Sequence, residues 1–195
     1  MARAEILPDQ AVLLLDDLTR IVARACSAIL EISPNVPAAI KPDRSPVTDA
    51  DVASETVILE SLAKLLPEIP VVSEEKMSSH AAPILDGSFF LVDPLDGTRE
   101  FIAGRDEFTV NIGLVTGGTP ILGIVAAPKR GQLWRGVVGL RTERMRILDD
   151  NVDEPQPIRT RRWPTQNGVA AVTWVVLLGA GVGACGAGVG ARGAA

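Results

Sequence analysis

Two stretches in the first third of the chain carry apolar residues at helical spacing. Between positions 10 and 32, Val12, Leu15, Leu18, Ile21, Val22, Ala25 and Ile29 recur every three or four residues. That spacing puts them on one stripe of a helix, with Asp9 standing where an N-cap belongs. Positions 33–46 are rich in proline and polar residues and read as a loop. A second helix is expected over about 49–66, with Val52, Val57, Leu59, Leu62, Leu65 and Leu66 apolar. Thr48 or Asp49 would cap it, and Pro67 and Pro70 bracket its end. The period then changes. Short apolar runs bounded by turn residues predict strands over 69–73, 88–92, 109–115, 120–126 and 132–138. Gly117-Gly118 joins two of them as a hairpin, and the last reads as the third strand of a meander. Two helices followed mostly by strands predict an α+β fold, with helices packed on a largely antiparallel sheet. No internal repeat is visible.

Composition bounds the function. The chain has 195 residues, of which 47% are hydrophobic, so it can bury a sizeable core. Three Trp, four Phe and no Tyr leave little for stacking on single-stranded nucleic acid. A net charge of −5 without a Lys/Arg block argues the same way. Cys26 and Cys185 lie far apart and form no metal-ligand spacing, which fits free thiols in a reducing compartment. The first residues, Met1-Ala2-Arg3-Ala4-Glu5, lack a signal-peptide pattern, and a cytoplasmic protein is the expectation.

The end of the chain differs from the rest. From Gly168 to Ala191 no residue is charged, and Gly, Ala and Val dominate. The length suits a membrane span, but glycine at this density is costly in a helix. A flexible tail is normally polar. The favoured reading is a frameshifted or truncated gene product, because GC-rich DNA read out of frame gives such strings. The expected organisation is therefore a metal- and phosphate-binding α+β domain over 1–173 and an aberrant, disordered tail over 174–195.

The chemistry concentrates in one stretch. Asp93-Pro94-Leu95-Asp96-Gly97-Thr98 follows the apolar run Phe89-Phe90-Leu91-Val92, and Glu74-Glu75 follows Ile69-Pro70-Val71-Val72-Ser73. Carboxylates at the ends of adjacent strands suit a hard divalent cation such as Mg²⁺, held by a few carboxylates plus substrate phosphate. The bland alternative is a simple turn, since Pro, Asp and Gly are all turn residues. Gly97-Thr98 reads as a helix or turn start whose N–H groups favour a phosphate. Thr98 either caps a short helix or orients a water. Asp49 and Asp51 open the second helix, where first-turn acids complement the helix dipole. Lys41, Asp43 and Arg44 are a solvated loop or a flap over an anion, and His80 reads as surface. The two residues between Asp93 and Asp96 exclude the Asp-x-Asp nucleophile of haloacid-dehalogenase phosphatases. No P-loop pattern is present.

These residues resemble the inositol monophosphatase superfamily of Mg²⁺-dependent phosphatases. The likeness rests on Thr48-Asp49-Ala50-Asp51, Glu74-Glu75 and Asp93-Pro94-Leu95-Asp96-Gly97-Thr98, and covers about residues 10–173. Ser45-Pro46-Val47-Thr48, Thr98-Arg99-Glu100-Phe101-Ile102 and Glu107-Phe108-Thr109-Val110-Asn111-Ile112 are similar to its 3′(2′),5′-bisphosphate nucleotidase branch, the CysQ type. The resemblance implies the N-terminal part of the layered α/β sandwich shared with fructose-1,6-bisphosphatase. It implies that Glu74, Asp93, Asp96 and the Leu95 carbonyl bind Mg²⁺. Thr98, paired with Asp51, would orient and deprotonate the attacking water, with Glu74 assisting, and the Gly97 and Thr98 amides would hold the phosphate. The implied substrate is a small phosphorylated molecule: adenosine 3′,5′-bisphosphate, or alternatively an inositol phosphate. The family also carries a later Trp-Asp-x-Ala-Ala-Gly motif that supplies a further metal ligand. This sequence has none, and Trp174 is followed by Val175. An inactive fragment is therefore a third expectation.

Overall fold

The computed structural model describes residues 4–32, 38–40, 46–77 and 87–159. Helix α1 spans Pro8–Leu30. Proline suits the first helical position, because its missing N–H would go unpaired there and its φ is already helical. Leu7, not Asp9, occupies the N-cap, and its amide donates to Gln10 Oε1 at 2.9 Å. Asp9 instead lies in the first turn. The buried stripe of α1 is Ala11, Leu15, Leu18, Val22, Ala25, Cys26 and Ile29.

Helix α2 spans Asp49–Leu65 and is capped by Thr48, whose hydroxyl accepts from the Ala50 amide at 3.2 Å. Asp51 closes the reciprocal half of a capping box by accepting from the Thr48 amide at 2.7 Å. The buried face of α2 departs from the expected apolar stripe. Val52 is exposed, whereas Asp51 and Ser54 are fully buried beside Ala50, Ile58 and Leu62. Two short helices, α3 (Glu74–Met77) and α4 (Thr98–Ile102), each follow directly on a strand.

The strands are β1 (Ala39–Ile40), β2 (Pro46–Val47), β3 (Val71–Ser73), β4 (Ser88–Asp96), β5 (Thr109–Thr116), β6 (Thr119–Ala127), β7 (Gln132–Val137), β8 (Arg141–Leu148), β9 (Asn151–Val152) and β10 (Gln156–Pro157). β1 and β2 pair with each other. The others form one sheet in the order β10-β8-β7-β6-β5-β4-β3, with β9 on β8. Every pairing is antiparallel except β3 with β4. Both long helices pack on one face of this sheet, α1 over its middle and α2 against β4. Phe90, Val92, Val110, Ile112, Leu114, Ile124 and Leu133 fill the core between them. The α+β architecture with a largely antiparallel sheet is the one expected.

Three differences matter. The meander continues into β8, whose buried positions are Glu143 and Met145. The strand expected to stop at Val92 runs to Asp96, with a register shift between Asp93 and Asp96. A β-bulge, not a free turn, therefore presents the two aspartates. Third, the expected boundary at 173, the tail over 174–195, His80 and the Lys41-Asp43-Arg44 loop all lie outside the described residues. Among the described residues, no helix is long and apolar enough to cross a membrane.

Candidate active site

The site is built where β3 ends beside β4. Their parallel register pairs Ser73 with Val92, so Glu74, just past the end of β3, lies level with Asp93, which continues in β4. Glu74 opens α3 and is exposed. Asp93 enters the bulge, where its Oδ1 is buried without a hydrogen-bond partner. Burial pushes the Asp93 carboxyl up to about 7, the Asp96 and Glu74 carboxylates add to the rise, and a hydrogen bond to the Leu95 backbone opposes it. Asp96 is also raised, by burial first and then by Glu74 and Glu100. Each carboxylate thus disfavours the charge on its neighbours.

Gly97 then turns the chain into α4 with φ +99, a backbone conformation that glycine adopts without strain. A side chain there would also meet the Glu107 carbonyl at 2.9 Å. Behind the turn, Phe101 and Phe108 pack edge to face with ring centroids 5.5 Å apart. This places Thr98 at the first position of α4, where its hydroxyl donates to Asp51 Oδ1 at 2.9 Å and lies 3.3 Å from the Leu95 carbonyl. The other oxygen of Asp51, Oδ2, accepts from the Thr48 amide and from the Thr48 hydroxyl at 2.6 Å. Asp51 is therefore a fully buried carboxylate with three donors, which is how a protein holds such a charge.

The structure brings together Asp51, Thr98, Leu95, Asp96 and Gly97, and sets Asp93 and Glu74 within electrostatic reach of Asp96. Among the described residues, no three His, Cys, Asp or Glu side chains converge closely enough to hold a metal ion. The carboxylates of Glu74, Asp93 and Asp96 repel one another without forming such a cage. The donor set itself suits a cation. It consists of hard oxygens, one of them buried and unpaired. Three further side chains escaped the sequence reading. Ser54 donates to the Pro94 carbonyl at 2.7 Å, and Ser73 donates to Glu55 Oε1 at 2.5 Å. Their signal was spacing: Ser54 and Glu55 follow Asp51 by three and four residues, on the same helical face.

Comparison with known proteins extends this picture. The model of the inositol monophosphatase family matches residues 11–175. The 3′(2′),5′-bisphosphate nucleotidase CysQ of Salmonella typhimurium is 40% identical over 141 residues, which are 67% of this chain and 57% of that protein. The chain thus spans little more than half the length of the curated relatives it matches. Among solved structures, CysQ from Bacteroides thetaiotaomicron, a bacterial member of the inositol monophosphatase family, superposes with a TM-score of 0.54 at 29% identity. That superposition covers 77% of this chain and 54% of the other. The Thermotoga maritima IMPase gives a TM-score of 0.61 at 20% identity, covering 76% and 54%, and speaks for the fold alone.

Proposed function

This chain belongs to the inositol monophosphatase family, and on that premise we propose that it is a Mg²⁺-dependent phosphomonoesterase of the bisphosphate nucleotidase type. The proposed reaction removes the 3′-phosphate of adenosine 3′,5′-bisphosphate with water, giving AMP and inorganic phosphate. The observation that carries this reading is the 2.9 Å hydrogen bond from Thr98 to buried Asp51, next to an acidic bulge with an unpaired carboxylate oxygen. The named CysQ relatives supply the substrate class.

Glu74, Asp93, Asp96 and the Leu95 carbonyl are the residues that would hold Mg²⁺. When bound, Mg²⁺ neutralises phosphate charge and lowers the pKa of water. The chain's own residues do the rest. Thr98 Oγ1 has one proton, and Asp51 accepts it, so the lone pairs of Thr98 are left to accept from a water. Asp51 cannot reorient, because Thr48 holds its other oxygen twice. The water is thereby aimed, and its proton has a path through Thr98 to a carboxylate. The Gly97 and Thr98 amides, at the turn into α4, are proposed to bind the phosphate. Phosphoryl transfer needs mostly such positioning and charge stabilisation.

The test is phosphate release by the purified 195-residue chain with Mg²⁺, comparing adenosine 3′,5′-bisphosphate with inositol 1-phosphate. The expected result is release from the nucleotide, abolished by chelator and by Thr98→Val. Preference for inositol phosphate would move the substrate assignment to the inositol branch. No Mg²⁺-dependent release from either substrate would overturn the reading for this chain.

A further inference from the structure

One face of α2 touches every segment of the acidic site. Asp51, Ser54 and Glu55 stand at i, i+3 and i+4, so their side chains leave the helix on the same side. Asp51 accepts from Thr98, beyond the bulge. Ser54 donates to the carbonyl of Pro94, inside the bulge. Glu55 accepts from Ser73, the residue before Glu74. We propose that Ser54 and Glu55 are positioning residues that set the register of the acidic site from α2, and this rests on the metal-site reading given above.

The Ser54 contact acts through a single peptide plane. The bulge leaves Pro94 and Leu95 out of the β4–β5 register, and the Pro94 carbonyl accepts from Ser54 at 2.7 Å. Its peptide unit is trans and planar, with the Pro94 C=O and the Leu95 N–H pointing in opposite directions. Fixing the carbonyl therefore fixes the amide. That amide is the backbone group that favours the ionised Asp93 carboxylate against its burial. A relay thus runs from the Ser54 hydroxyl, through one rigid peptide, to the Asp93 carboxylate. Ser54 is fully buried, so no water competes for the bond.

Glu55 works on the other strand. β3 is only three residues long and lies at the edge of the sheet. Ser73 is its last residue, is buried, and gives its hydroxyl proton to Glu55. The bond ties the point where Glu74 leaves the sheet to the same helix that holds Asp93 and Thr98. Supporting hydrogen bonds of this kind orient metal ligands and change affinity without touching the metal.

The test is Mn²⁺ titration of the 195-residue chain, read as loss of the free-ion paramagnetic resonance signal, with thermal melting to confirm folding. Ser54→Ala and Glu55→Ala are expected to weaken Mn²⁺ binding about 10-fold or more. Glu55→Gln keeps an oxygen acceptor for Ser73 and is expected to retain wild-type affinity. Glu55→Ala combined with Ser73→Ala is expected to bind no worse than Glu55→Ala alone. Folded Ser54→Ala and Glu55→Ala proteins that bind Mn²⁺ like wild type would reduce both residues to structural support and overturn the proposal. If Ser54→Ala does not fold, the Glu55 series decides alone. Equal losses in Glu55→Gln and Glu55→Ala would show charge rather than position at work, and would also overturn it. No saturable Mn²⁺ binding by the wild-type chain would sink the metal-site reading itself, a result distinct from failure of the variants.

Discussion

Asp51 and Thr98 lie 47 residues apart in sequence, and their side chains meet at 2.9 Å. The contact joins the first turn of α2 to the first residue of α4. Because both Asp51 oxygens accept, Asp51→Asn must aim an amide N–H₂ at a donor whichever way it flips. The expected cost is about 1–3 kcal/mol of stability, seen as a lower midpoint in urea at unchanged slope. Thr98→Val removes the donor to buried Asp51 Oδ1, and should also lower the urea midpoint, at a cost of about 1–3 kcal/mol, while lowering phosphate release about 100-fold or more. Thr98→Ser should restore most of that release. Wild-type phosphate release by a folded Thr98→Val protein would contradict a catalytic part for Thr98.

Asp93, Asp96 and Glu74 oppose one another, and Asp93 Oδ1 has no hydrogen-bond partner. Neutralising one member should therefore stabilise the metal-free protein. Asp93→Asn is expected to raise metal-free stability by about 1–2 kcal/mol, since a buried carboxylate oxygen without a hydrogen-bond partner carries a penalty of that order. The same change should remove the response to Mg²⁺. In wild type, Mg²⁺ at a hundredfold excess over its Kd should add about 2.7 kcal/mol. Calorimetric melts with EDTA and with Mg²⁺ check both halves. A stabilised Asp93→Asn protein that still gains from Mg²⁺ would place the ion elsewhere.

Gly97 combines two constraints that the other turn glycines do not share. Its φ is +99, and a Cβ would sit 2.9 Å from the Glu107 carbonyl and 3.2 Å from Phe108 Cα. Gly117 and Gly118 also have positive φ, but nothing lies within 4 Å of their Cβ positions. Gly118→Ala should cost only the backbone strain, about 1 kcal/mol. Gly97→Ala adds a clash with backbone that cannot swing away, and about 3 kcal/mol or more is expected. Unfolding in urea of the two variants side by side gives the difference.

The helices and the central strands were legible because their burial follows simple periods. Val110, Ile112 and Leu114 alternate inward as β5 requires, and α1 buries its apolar stripe almost as the spacing predicts. The reading fails where polar groups point inward. On α2 it selected Val52, which is exposed, and passed over Ser54, which is buried against the bulge. That face packs on an acidic site and carries hydrogen-bonding groups where a core helix would carry leucines. β8 was missed for a related reason. Its inward positions include Glu143 beside Met145, and an inward glutamate hides a period of two. Of the site, the acidic motif and Thr98 were plain from residue type. The bulge was not, because pairing register depends on the neighbouring strand.

Glu143 is buried because Arg135 is. Arg135 Nε donates to Glu143 Oε2 at 2.8 Å, and its Nη1 donates to Asp16 at 2.7 Å and to Thr19 at 2.9 Å. The guanidinium is 3% exposed, so this cluster clamps α1 to the β7–β8 hairpin from inside. Removing one partner should be worse than removing both. Arg135→Ala leaves Glu143 with only the longer 3.5 Å contact to half-exposed Arg141, at an expected cost of about 3 kcal/mol. Arg135→Met with Glu143→Leu replaces the pair by apolar volume, and is expected to lie within about 1 kcal/mol of wild type or above it. A double variant as unstable as Arg135→Ala would mean that Asp16 and Thr19 depend on the guanidinium for more than charge balance.

Cys26 gives the pH dependence that can be isolated most cleanly. It lies on the buried stripe of α1 with no exposed surface, and burial pushes its thiol up to about 12 from 9.0. The folded protein therefore favours the neutral thiol more than the unfolded chain does. This contribution is full below about pH 9, falls as the unfolded thiol ionises, and is gone once the pH passes the folded value near 12. The measurement is stability against pH for wild type and Cys26→Ala, subtracted so that other groups cancel. Wild type should lose stability relative to the variant as pH rises from about 9. The same burial predicts a chemical result. In a Cys185→Ser background at pH 8, the native protein should resist a thiol reagent that labels it at once in denaturant. Fast labelling of the native protein would mean that α1 opens locally, and the core assigned to its stripe would have to be redrawn.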